Sequence, residues 1–352
     1  MAEQIAVLPE KLTAYIKELY LKAGLSDKDA QICADCTVKT NLWGVDSHGV
    51  LRTSAYINRV LSGAVKAKPE INFLKGKDGP LSLMDGDAGM GYVVGHRAIE
   101  AAIAKAKQFG IGMVVVKNSN HFGAASLYTR LAAEEGMLGL VTTNVIPNIG
   151  MPGNKKSVTG NNPIAMAAPI GREYPFSLDI SMSAVSGGKI LLAQKKGEKI
   201  PTTWAIDKDG NPTDDPFAGF AGILLPVGMH KGLGMSMFLD IITGVISGGP
   251  FLQDIKSMYK HSDVPSETSH MFMVLDPGFF LDESDFGSRM DEWVGMIKGT
   301  PMTEEGAEQI IPGEIEYKCE MQRRKDGLPL PSELVKDLEV LAAKLDITAK
   351  LF

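Results

Sequence analysis

Ile111-Gly112-Met113-Val114-Val115-Val116-Lys117-Asn118-Ser119-Asn120-His121-Phe122-Gly123-Ala124-Ala125 is the stretch on which the fold turns. Residues 111–117 form a near-continuous apolar run of strand length, the pattern of a central strand covered on both faces. Polar residues then crowd where that strand ends, a common place for a site in a mixed sheet. His121 is a candidate functional group there, although a histidine at such a point can equally be a packed one. Upstream, residues 95–108 are alanine-rich with Ile99 and Ile103 on one face, and Gly110 stops the helix. Downstream, a helix over 125–135 and a strand over 139–144 complete a β-α-β pattern. Further strands are expected at 80–84, 164–168, 176–180 and 271–275, and helices at 233–246, 281–298 and 331–344. The chain therefore reads as α/β, of mixed α+β character.

The glycines do not follow the usual dinucleotide device. No G-x-G-x-x-G joins a strand to a helix, and the glycine-dense turn Asp85–Gly91 runs in the reverse order, G-x-x-G-x-G. Gly188-Lys189 lacks the Ser/Thr and the upstream glycine of a phosphate loop. Any dinucleotide must be held some other way.

Composition bounds the function classes. With 352 residues, 44% of them hydrophobic, the chain can bury a sizeable core and an enclosed site. A net charge of −6 carries no basic excess for nucleic acid. The start, Met1-Ala2-Glu3-Gln4-Ile5, lacks a basic-then-apolar leader pattern. The longest apolar region, 232–252, is interrupted by Asp240 and several glycines, so a buried core helix followed by a turn is expected there rather than a membrane span. Three cysteines cannot build a disulfide framework, which fits a reducing, cytoplasmic setting. Cys33 and Cys36 fall inside a helical pattern, and no zinc-type or other metal-ligand spacing accompanies them.

Toward the N-terminus, Leu12, Tyr15, Ile16, Leu19 and Tyr20 give a one-faced helix over 9–22. Ser26 with Asp29 forms a capping box opening a second helix that ends before Gly44. Asp46-Ser47-His48-Gly49-Val50-Leu51-Arg52 follows. A helix starting at Ser47 would be capped by its hydroxyl and would place His48 and Arg52 four residues apart on one face. Imidazole exchanges protons near neutral pH, and guanidinium grips a carboxylate through two parallel hydrogen bonds. A 2-hydroxy or 2-oxo acid needs both groups, whereas the bland alternative is a solvated helix edge. A serine hydrolase built on Ser47 and His48 is disfavoured, because neighbours on a helix point about 100° apart.

Other candidates lie at element ends. Ser181-Met182-Ser183-Ala184 after Asp179-Ile180 could offer backbone N–H groups to an anion, or could simply cap a helix. Lys231, beside His230 at an expected helix start, would suit a phosphate. The long loop 147–163, rich in Gly, Asn and Pro, is of the length that is usually functional or disordered.

Six ordered segments together resemble the malate/L-lactate dehydrogenase family, the type that includes ureidoglycolate and sulfolactate dehydrogenases, diketogulonate-type reductases and cyclic-imine reductases. They are Asp46-Ser47-His48-Gly49-Val50 with Arg52; Ser119–Gly123; Thr159-Gly160-Asn161-Asn162-Pro163; Asp179–Ser183; His230–Met235; and Pro312-Gly313-Glu314. The resemblance implies a non-Rossmann NAD(P)-binding mixed-sheet domain over 76–311. It also implies a helical N-/C-terminal domain formed by 1–75 with 312–352. The activity it implies is hydride transfer between NAD or NADP, NAD being favoured, and C2 of a small 2-hydroxy or 2-oxo acid. Reduction of a carboxylated cyclic imine and cofactor binding without catalysis are the alternatives.

Carried over residue by residue, His48 resembles the acid/base, Arg52 the carboxylate anchor, and His121 a rival for the proton, with Ser47 and Asp179 beside them. Cofactor contacts are implied at His121, Gly160, Asn162, Asp179, Ile180, Ser181, Met182, Ser183, Ala184, His230, Lys231, Gly313 and Glu314. Asp179 is also a candidate to tune the histidine. A homodimer with the site at the subunit contact is implied as well, and no metal, nucleic acid or membrane partner.

Overall fold

The computed structural model describes residues 4–304, 306–348 and 350–351. Residues 1–3, part of the stretch read for a leader pattern, and residues 305, 349 and 352 lie outside them. A seven-stranded mixed sheet runs in the order Asn72–Lys75, Leu81–Asp85, Ile111–Ser119, Thr268–Leu275, Leu138–Thr143, Ile164–Ala168, Phe176–Ile180. Only Leu81–Asp85 and Ile111–Ser119 pair in parallel; every other neighbouring pair is antiparallel. The strands of the expected β-α-β unit, Ile111–Ser119 and Leu138–Thr143, are parallel to each other. They do not touch, however, because Thr268–Leu275 is inserted between them. This explains the missing glycine fingerprint: the strand and helix that would cradle a pyrophosphate in a doubly wound sheet are separated by an antiparallel strand from far along the chain.

Val114, Val116 and Phe272 are fully buried at the sheet centre, as the apolar run requires. The helix Gly91–Phe109 covers one face and begins four residues earlier than the alanine pattern suggests. Its start also accounts for the glycine-dense turn. A Cβ on Gly91 would lie 2.1 Å from the His121 carbonyl oxygen, so the bare backbone lets the helix press against the end of the central strand.

The helices Pro9–Lys22 and Asp27–Leu42 form as expected, and Ser26 caps the second by accepting the Asp29 N–H at 3.2 Å. Strand Gln4–Val7 pairs with Leu328–Pro331, joining the two ends of the chain. One continuous core runs from Leu12 and Tyr20 through Val114 to Leu338. Residues 72–75 pair into the sheet, although the sequence reading assigned them to the helical part.

Two further expectations need correction. The segment after Asp46 is not one helix from Ser47. Two 3-10 turns, Asp46–His48 and Val50–Arg52, are separated by Gly49, and the α-helix is Thr53–Leu61. Asn41 is the cause. Its Oδ1 accepts the Val50 N–H at 2.6 Å, and a Cβ on Gly49 would lie 1.8 Å from that oxygen. Region 232–252 is not a buried core helix either. The helix His230–Asp240 and the π-helical turn Ile241–Val245 expose Met235, Phe238, Ile241 and Val245. No helix among the described residues is long and apolar enough to cross a membrane.

Candidate functional site

A cavity of about 320 Å³ opens where the central strand ends, between the Asp46–His48 turn, the loop 121–125 and strand Phe176–Ile180. Ser47, His48, His121, Asp179 and Ser181 line it, so five of the sequence candidates meet in one space. The imidazoles of His48 and His121 stack with centroids 5.6 Å apart and an interplanar angle of 22°.

The two rings differ in what holds them. His121 Nδ1 lies 2.5 Å from the Tyr56 hydroxyl and 3.3 Å from the Gly123 N–H. A backbone N–H can only donate, so Nδ1 carries a lone pair and the neutral ring keeps its proton on Nε2. His48 Nδ1 lies 2.8 Å from the Ser47 hydroxyl, and Ser47 is exposed. Helix geometry argued against that contact. It forms because the chain breaks at Gly49 after a single 3-10 turn. Asp46 fixes the turn from below, accepting two hydrogen bonds from Arg323 at 2.5 and 2.9 Å and one from Asn41 at 2.6 Å.

All three imidazoles near the site are held neutral. Burial first, and then the Arg52 guanidinium, lower His48 to about 4. Burial, His48 and Arg52 push His121 well below its ordinary value. His270, stacked on Phe122 behind the site with centroids 4.4 Å apart, is lowered to about 3 by burial.

Arg52 stands outside the cavity lining. Its Nε donates to the Ser47 carbonyl at 2.7 Å and its Nη1 donates to the Tyr259 hydroxyl. Asp179 does not touch either histidine; its Oδ2 accepts the Ser126 N–H at 2.8 Å. Burial raises its carboxyl against the pull of Ser126 and Arg130.

The expected cofactor residues separate into two groups. Ser181 lines the cavity and sits 3.0 Å from the Ser183 hydroxyl. The segment leading to His230 runs alongside them, since Ala184 N–H donates to Leu225 O and Val227 N–H to Met182 O. His230 and Lys231 are exposed at the start of their helix, Ile180 and Ala184 are exposed, and Met182 packs in a small apolar cluster.

Asn162 is wholly buried, and both ends of its amide are taken, by Val145 N–H at 2.8 Å and Ser236 O at 2.8 Å. Gly160 gives its carbonyl to Ser236 Oγ at 2.6 Å. Gly313, at φ +103°, lets the chain pass the Pro175 carbonyl, where a Cβ would sit 2.4 Å away. Glu314 binds Lys298 at 2.5 Å and Lys318 at 2.6 Å. Burial pushes its carboxyl up, but the two lysines outweigh this and hold it at about 2. None of these four residues lines the cavity.

Sequence reasoning missed Arg130, Asn144, Asn161, Ser186, Thr268 and Glu316 on the cavity wall. Arg130 left a signal, since it occupies a core-facing position of helix Ser126–Glu134; its Nε donates to Ser177 Oγ at 3.1 Å. Two features suit a dinucleotide. Thr268 Oγ1 is buried without a partner at the wall. Ser186 leads into the helix Gly187–Lys196, whose first glycine has open space where a side chain would stand. Backbone N–H groups at such a start are free to meet a phosphate.

The model of the family described as malate/L-lactate dehydrogenase matches residues 7–339. Malate dehydrogenase of Pyrococcus horikoshii is 37% identical over 354 residues, covering 97% of this chain and 96% of that protein. L-sulfolactate dehydrogenase of Methanocaldococcus jannaschii is 37% identical, covering 96% and 97%. The solved sulfolactate dehydrogenase of that organism superposes with a TM-score of 0.91, covering 99% of this chain and 98% of the other at 35% identity. Two relatives name their cofactor. Ureidoglycolate dehydrogenase (NAD(+)) of Escherichia coli O157:H7 is 30% identical, covering 94% and 93%, and (2R)-3-sulfolactate dehydrogenase (NADP(+)) of Chromohalobacter salexigens is 28% identical, covering 91% and 92%.

The neutral imidazoles make stability depend on pH with a definite sign. The unfolded chain protonates histidine near pH 6.5, whereas folded His48 waits until about 4 and His270 until about 3. Between those limits the unfolded state binds more protons, so stability is full above about 6.5 and falls as pH drops toward 4. Thermal unfolding should show a flat midpoint from pH 8 to 7 and a falling one from 6.5 to 5; a midpoint unchanged down to pH 5 would contradict the buried-neutral assignment.

Proposed function

Because the chain belongs to the malate/L-lactate dehydrogenase family, we propose that it is an NAD(P)-dependent oxidoreductase moving hydride to and from C2 of a small 2-oxo or 2-hydroxy acid. When bound, the nicotinamide supplies or accepts the hydride. Ser181, Ser183, Ser186 and the start of the helix Gly187–Lys196 are the groups that would hold the dinucleotide, with Thr268 Oγ1 as a further polar contact.

The reading of His48 as the group that carries the proton rests on the Ser47 hydroxyl, 2.8 Å from His48 Nδ1. An acid/base group must recover its proton from solvent after each turnover, and Ser47 is exposed. His121 lacks that path, because a backbone N–H and the buried Tyr56 close its Nδ1. His48 therefore gives the proton to the developing alkoxide in reduction and takes it back in oxidation. His121, with its proton fixed on Nε2, polarises the substrate oxygen. Arg52 anchors the carboxylate. The arriving carboxylate also offsets the guanidinium charge that helps keep His48 neutral, so substrate binding prepares the imidazole to hold a proton.

The chain's second proposed property is a homodimer. Phe238, Ile241 and Val245 recur at helical spacing on an exposed apolar face, of the kind that marks an association surface. His230 and Lys231 open the same helix, which would set them at the subunit contact. The free cysteines, Cys33 and Cys36 buried and Cys319 partly so, suit a reducing cytoplasm.

Oxidation of malate, lactate, sulfolactate or ureidoglycolate, read by NAD(P)H absorbance, tests the reaction class; turnover of cyclic imino acids alone would replace it. His48→Ala should lower turnover by roughly 10²–10⁴-fold with cofactor affinity unchanged, and added imidazole should restore part of the rate. Rescue of His121→Ala instead would move the proton to His121. Light scattering should give twice the 37.8 kDa chain mass, and Phe238→Glu should return it to one; a monomeric wild type would remove the dimer.

A further inference from the structure

The segment 255–267 has no helix or strand, yet it is pinned along its length. Arg59, itself buried, donates to the carbonyls of His261 at 3.1 Å and Val264 at 3.0 Å, to Ser266 Oγ at 3.1 Å and to Asn120 Oδ1 at 3.0 Å. Lys256 and Glu267 close the neck of the loop with an ion pair at 2.6 Å. Such a loop is held in one shape by its backbone, so a side chain exposed on it is exposed by construction.

Tyr259 is one of the exposed side chains of this loop, at 62%. Its ring lies under the Arg52 guanidinium with the central carbon 5.5 Å from the ring centroid, and its hydroxyl accepts from Arg52 Nη1. Guanidinium has no acceptor atom, so the phenol must contribute its oxygen to this contact. Its own proton is then free. Among the described residues the Tyr259 hydroxyl donates to no acceptor.

The other side of Arg52 is already used, because Nε donates to the Ser47 carbonyl. An anion cannot take the Nε edge of the fork and must approach the terminal nitrogens, where the phenol stands. We propose that Tyr259 is a substrate-binding residue: its hydroxyl, polarised by Arg52, donates to the substrate carboxylate and completes the anion site that Arg52 begins. The loop pinned by Arg59 is the part of the chain that sets which acids fit. This rests on the dehydrogenase reading above and names the donor set that recognises its substrate.

Tyr259→Phe keeps the ring over Arg52 and removes only the hydroxyl. In steady-state reduction of whichever 2-oxo acid the wild type turns over best, KM for the acid should rise about tenfold, as for a lost hydrogen bond to a charged group. Turnover should stay within about twofold, and KM for NAD(P)H should not move. Binding of oxamate to the enzyme–NADH or enzyme–NADPH complex should weaken by a similar factor. Unchanged KM and unchanged oxamate affinity overturn the proposal. A fall in turnover together with weaker cofactor binding also overturns it, since that is the mark of a loop with only a structural role. A wild type that turns over no 2-oxo acid overturns the functional reading, and this proposal with it.

Discussion

Asn120 satisfies its whole amide inside the protein, and the site is assembled around it. Its Oδ1 accepts from Arg59 Nη2 at 3.0 Å and from the Ser266 N–H at 3.1 Å, while its Nδ2 reaches the carbonyls of Ala88 and Gly89 at 3.0 Å each. Four segments are tied at one buried residue: the end of the central strand, the helix Thr53–Leu61, the glycine-dense turn and the loop that carries Tyr259. Leaving such a group unpaired costs about 1–3 kcal/mol for each lost partner, so the four bonds stand or fall together. His121 is the next residue, Tyr56 and Arg59 project from the tied helix, and Tyr259 hangs from the tied loop. The placement of the residues around the cavity thus follows from one buried amide.

Within that frame the electrostatics favour a neutral starting state. Burial and the Arg52 charge keep both stacked imidazoles unprotonated, beside a cavity wall that also carries Arg130, Asp179 and Glu316. In the proposed reading, a carboxylate bound at Arg52 would lower the cost of a proton on His48.

Much of this was legible in the sequence, because it depends on local pattern. The apolar run at 111–117 located the central strand, and Ser26 and Asp29 located a helix start. What the sequence hid was non-local. Nothing near Val50 shows that Asn41 will break the helix at Gly49, and that break is what lets Ser47 reach His48. Nothing near Leu138 shows that a strand from 268–275 will part it from its β-α-β partner. Tyr259 lies 207 positions from Arg52 in an irregular segment, so no periodicity could join them. The resemblance implied cofactor contacts at Asn162 and Glu314. Only their partners reveal that one is a buried bracket and the other a carboxylate neutralised by two lysines.

The central claim is that a buried, neutral His48 beside Arg52 is the base that takes the hydroxyl proton. The pH dependence of kcat/KM for hydroxy-acid oxidation tests it most directly, since that parameter reports the free enzyme. The account predicts a rate that holds as pH falls below 6.5 and an acid limb with a midpoint near 4, where His48 protonates. A limb centred near 6.5, the value of an ordinary solvated imidazole, would contradict it.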